Sequence, residues 1–154
     1  MARKWLKPRI AWEDRFATPG ASGLLQGFHR HHTALIQQAR DGVRGLGDVT
    51  ESIVWRGVPW RWTFAFADEG EPERAWAYLV PQPGRPMLAI PLTAEHVDAL
   101  PMKRLSKSVR DGIVLAAMVG GVYWAQWELT SRPQVDELIG IARRRRESSA
   151  AATA

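Results

Sequence analysis

Stacking on a planar partner is the chemistry this sequence offers most openly. Trp60-Arg61-Trp62-Thr63-Phe64-Ala65-Phe66-Ala67 sets a ring at every second position, the period at which a strand returns side chains to one face. Trp76 and Tyr78 repeat the spacing in the next apolar run, and Trp124 and Trp127 occupy a third. Rings presented from one side of a sheet make either a core or a pocket, because both need the same alternation. As a pocket, Trp60, Trp62, Trp76, Tyr78 and Trp124 would hold a small planar ligand, with Arg56 or Arg61 neutralising an anionic group on it and Gln126 or Glu128 fixing its orientation. As a core, Trp62, Phe64, Phe66 and Trp76 would pack against helices. Trp55, Trp60 and Trp124 would then lie off the main core face, and this surplus of large rings favours the pocket.

Other reactive side chains are less well placed. His29 and His32, at i and i+3, share a helix face and could touch one metal ion, but no third ligand stands nearby, and His32 falls on the apolar stripe. His96 is isolated on a short helix. Asp68, Glu69, Glu71 and Glu73 crowd one turn and read as a solvated loop. Only Glu128, beside Trp127 on a strand, is placed for acid or base work, and it reads more readily as a solvent-facing strand residue. The chain contains no nucleophile elbow, no phosphate-binding P-loop and no paired-histidine zinc helix. Without cysteine it has no disulfide, thiolate nucleophile or cysteine-ligated metal site. No catalytic residue, metal or cofactor is therefore assigned, and non-catalytic binding is the expectation.

The elements that must position these residues follow from composition and period. A chain of 154 residues with 45% hydrophobic content suits one domain, and no apolar run reaches the roughly 18 residues of a membrane helix. The N-terminus is basic and lacks the apolar stretch of a secretory signal, which points to a cytoplasmic location. The net charge of +5 is unevenly spread. Arg3 to Arg9, Lys103 to Arg110 and Arg143 to Arg146 hold clustered cations, mostly arginine, while the remaining segments are net acidic. Together with the rings, these clusters keep nucleic-acid binding open as an alternative.

A basic segment over 1–20 precedes a single domain over 21–147, and 148–154 reads as a disordered tail. From Leu24 to Val43 apolar residues recur every three or four positions, predicting one helix capped by Ser22 and ending near Gly45 to Gly47. Short strands are expected at Glu51 to Trp55, Trp60 to Ala67, Ala75 to Pro81 and Met87 to Leu92, joined by polar turns as an antiparallel meander. Ala94 to Leu100 predicts a short helix. Leu105, Val109, Ile113 and Ala116 stripe a second, stopped by Gly120-Gly121. Val122 to Leu129 alternates as a fifth strand, and Ser131-Arg132-Pro133-Gln134 signals a final helix from Pro133 to Arg146.

This order, with Val54-Trp55-Arg56-Gly57-Val58-Pro59-Trp60-Arg61-Trp62, Ala77-Tyr78-Leu79-Val80-Pro81 and Gly121-Val122-Tyr123-Trp124-Ala125-Gln126-Trp127-Glu128-Leu129, resembles small bacterial domains of unknown function allied to the YdhG-like fold, over roughly residues 23–146. The resemblance implies the fold and almost nothing of chemistry. Relatives linked to frataxin-like iron handling would need an acidic metal-binding surface, whereas this chain is basic. The expectation is thus an α+β domain with a central antiparallel sheet of about five strands, packed by N-terminal, middle and C-terminal helices. It would bind a small ligand through its aromatic residues, or use exposed tryptophans to form a homodimer or engage a protein partner.

Overall fold

The structure, a computed structural model, describes residues 10–153, with side chains to Ser149. The basic cluster Arg3 to Arg9 lies outside the described residues. The chain is α+β, and its one sheet has six antiparallel strands rather than five. Segments rich in β-branched and aromatic residues form β1 (Val49–Trp55), β2 (Trp62–Asp68) and β3 (Ala77–Val80), and the apolar run β4 (Met87–Leu92) completes the meander. β6 (Val122–Glu128) then pairs with β4, and β5 (Ala117–Val119) pairs with β6, giving the order β1-β2-β3-β4-β6-β5.

Helices α1 (Ala21–Leu25), α2 (Arg30–Arg44), α3 (Ala94–Asp98), α4 (Lys107–Val114) and α5 (Arg132–Thr153) complete the chain. The single N-terminal helix expected from the stripe is instead two. Gly27 takes φ +84°, and His29 then caps α2 by accepting the His31 N–H on Nδ1 (3.2 Å). Ser22 therefore lies inside α1 rather than at its N-cap, which is Gly20. α5 starts as its sequence signal demands, with Ser131 Oγ accepting from Gln134 N–H (3.3 Å). Its backbone runs on to Thr153, so the segment expected to be a disordered tail continues the helix.

The register sorts side chains into two faces. Phe64, Phe66, Leu79, Leu88, Ile90 and Trp127 point to the helix layer and are essentially sealed there, with Leu35, Val43 and Leu138 opposite. At the exposed edge β1, Arg40 of α2 closes the core: it grips Glu51 through Nε (2.9 Å) and Nη2 (2.7 Å) and lies 4.7 Å over the Phe64 ring. Helix α4 is seated by Trp127, whose Nε1 donates to Val109 O (2.9 Å) and whose indole lies directly against Gly112. Among the described residues no helix is long and apolar enough to cross a membrane.

Candidate functional site

On the face away from the helix layer, strand positions carry small residues, Ala65 and Ala89, and these are covered by rings instead of by a helix. Tyr78 of β3 and Trp124 of β6 supply part of this cover, and the β1–β2 loop supplies Trp60. Arg56 N–H donates to Arg61 O (2.9 Å), Arg61 N–H donates to Gly57 O, and Arg61 sits in the left-handed region at φ 58°. This turn breaks the two-residue alternation. Trp60 therefore does not share a face with Trp62, as an unbroken strand would require, but folds over the opposite side of the sheet.

There Trp60, Tyr78 and Trp124 form a triangle with ring centroids 5.6, 6.2 and 6.0 Å apart. The Arg56 guanidinium lies 4.7 Å over the Tyr78 ring and 5.8 Å over Trp60. Arg56, Val58, Pro59, Trp60, Trp124 and Gln126 line a shallow cavity of about 290 Å³ in front of the rings. Every other residue of β6 from Trp124 to Glu128 faces this side, which is why Gln126 reaches the rim.

The remaining expected site residues lie elsewhere. Trp62 is 6% exposed in the main core, edge-to-face with Trp55 at 5.5 Å between ring centroids, its Nε1 donating to Asp14 O (2.7 Å). Trp76 is 3% exposed and also belongs to that core. Arg61 turns towards the N-terminal segment, where it pairs with Glu13 (3.1 Å) and lies 5.0 Å over Trp12. Glu128 shares the face of Gln126 but sits beyond the cavity, 3.6 Å from Arg85. Of the nine residues, Arg56, Trp60, Trp124 and Gln126 line one cavity and Tyr78 backs it.

Two of the three clustered histidines make hydrogen bonds within the fold. His29 caps α2, and His31 Nε2 contacts Thr130 O (3.1 Å). Among the described residues no group of three or more His, Asp or Glu is arranged to hold a metal ion. His96 is less isolated than its sequence context suggests: it is buried, and its Nε2 lies 2.8 Å from Ser149 Oγ, a separation proper to a base and a nucleophile. The tautomer is the wrong one for that task. Nδ1 accepts the Thr93 N–H (3.0 Å), so Nε2 carries the proton and donates to the serine rather than taking its hydrogen. Burial, aided by the charge of Arg145 and opposed by Glu95, holds the His96 pKa below its ordinary value, which keeps the ring neutral. No signal in the sequence joins residues 96 and 149; the contact exists because α3 packs on α5.

Compared with known proteins, the chain matches no protein-family model and no curated sequence.

Proposed function

We propose that this protein binds a small planar anion on the uncovered face of its sheet, without catalysing a reaction on it. The observation that carries the reading is Arg56 lying across Trp60 and Tyr78, with no ion-pair partner among the described residues, at the mouth of a cavity walled by Trp60 and Trp124. Two indoles supply flat apolar walls, the guanidinium supplies charge in a plane, and Gln126 offers a neutral donor and acceptor at the rim. The cavity suits one aromatic ring or a fused pair. Kinship with the small bacterial domains allied to the YdhG-like fold belongs to the same proposal, on the element order alone, as does a cytoplasmic location.

A fluorescence titration tests the reading with three probes: benzoate, which is planar and anionic; benzamide, planar and neutral; and cyclohexanecarboxylate, anionic and not planar. Benzoate should quench or shift the tryptophan emission saturably and the other two should bind at least about tenfold more weakly, a difference of about 1.4 kcal/mol. Equal responses to all three, or none, would remove the proposal.

A second reading has its own observation. From Gly112 to Gln126 the chain carries no charge, and Val114, Leu115, Met118 and Val119 are exposed, Leu115 to 81%. β5 within this run is an edge strand, where proteins commonly place charge to discourage pairing. Antiparallel pairing of β5 with β5 of a second copy would bury the same residues from both chains about a two-fold axis.

A further inference from the structure

We propose a second binding site, for an oxyanion carried on a small molecule, in the cleft between the β2–β3 turn and the C-terminal part of α5. The cleft has a volume of about 700 Å³ and shares no lining residue with the aromatic cavity. Four arginines and three carboxylates line it, and the pairing between them is incomplete. Arg146 is engaged by Asp68 (2.8 Å) and by Leu46 O (2.7 Å), and Arg74 by Glu71 (3.9 Å). Arg143 and Arg145 make no ion pair among the described residues.

Arg145 stands at the centre of this imbalance. Its guanidinium is held in place by neutral groups alone, with Nε donating to Pro91 O (3.2 Å) and Nη1 to Ser149 Oγ (3.2 Å). Burial lowers its pKa from the ordinary arginine value, opposed by the nearby Asp68 carboxylate and Tyr78, neither of which it contacts in an ion pair. Trp76, 3% exposed, forms part of the cleft wall, and its Nε1–H, itself sealed from solvent, has no acceptor among the described residues. Buried indole N–H groups ordinarily find one. A ligand oxygen would stand against the fork of Arg145, with Arg143 at the rim and the Trp76 indole in the cleft wall beside it. Groups with several oxygens, phosphate first and carboxylate second, have the geometry for this. The volume left over accommodates the rest of a small metabolite.

The indole region of a proton–nitrogen correlation spectrum reads the proposal directly, with the Trp76 signal assigned by Trp76→Phe. Pyrophosphate should move that signal saturably at low salt, with a Kd below about 1 mM that weakens as salt rises. Arg145→Gln should weaken binding at least tenfold and Arg143→Gln by less, while the Trp60 and Trp124 signals stay in place. If Arg145→Gln does not fold, Arg145→Lys, which keeps the charge and loses the fork, takes its place. Citrate in a parallel titration identifies the group: a response to both marks a general oxyanion site, and a response to pyrophosphate alone marks a phosphate site. A Trp76 signal that does not move, or that moves as much in the arginine variants, would overturn the proposal.

Discussion

His96 is held neutral first by burial and then by the charge of Arg145, a half-buried arginine that shares its serine partner, against the opposing charge of Glu95. Its folded-state pKa lies below the unfolded value of about 6.5, so the unfolded chain takes up the proton first. The stability this neutral ring contributes is complete above about pH 6.5 and is lost as the pH falls below that value. Urea unfolding between pH 7.5 and 5 should show it: His96→Gln, which can still accept from Thr93, should flatten the part of the decline that His96 causes, and an unchanged slope would show that the ring is not the source. At the same scale, the two-residue period correctly gave Trp62, Phe64 and Phe66 one face but wrongly added Trp60. A non-glycine residue in the left-handed region, Arg61, reversed the alternation, and nothing in its side chain announces that conformation. Trp60 and Trp124, read from the sequence as lying off the main core face, pack on the face of Ala65 and Ala89, whereas Trp62 and Trp76, read as pocket residues, are sealed in the main core.

The elements show where local signals suffice and where packing overrides them. Met87–Leu92 and the start of α5 follow directly from a short continuous apolar run between Pro86 and Thr93 and from the Ser131–Gln134 cap. The stripe through Leu105 to Ala116 failed at its end: α4 stops at Val114, and Ala117–Val119 pairs with β6 as a strand. Gly120 and Gly121, at φ 58° and 79°, form the two-residue hairpin turn rather than a helix stop. Read with Val119 and Val122 on either side, that glycine pair was a hairpin signal available in the sequence. Gly112 makes a sharper statement about α4, since the Trp127 indole occupies the space a Cβ would need. Gly112→Ala should destabilise the protein by about 1–3 kcal/mol despite its gain in helix propensity, because the indole must leave Val109 O or the helix must lift. Equilibrium unfolding checks it, and an unchanged or raised stability would mean that α4 and β6 are less closely fitted than their contact indicates.

In the whole molecule, all the longer helices gather on one side of the sheet, so the other side is finished with rings and with small strand residues beneath them. The class, α+β with an antiparallel sheet, was readable from the run of strands and the flanking helices; the sixth strand and the division of the tryptophans between two faces depend on pairing partners far apart in sequence. The uncharged edge at β5 belongs to this scale. If two copies join there, sedimentation should show mass rising with concentration, and Val119→Lys should return the protein to a monomer without loss of helix or strand content; a wild-type chain that stays monomeric would exclude the pairing. The central claim is that the uncovered face, and not the core, receives a planar anion. Its most direct measurement is the indole region of the proton–nitrogen spectrum during a benzoate titration of the wild-type protein and of Arg56→Gln. The account predicts saturable shifts confined to Trp60 and Trp124, with Trp62, Trp76 and Trp127 unmoved, and at least about fivefold weaker binding without Arg56. Indole signals that all stay fixed, or shifts centred on the buried tryptophans, would contradict it.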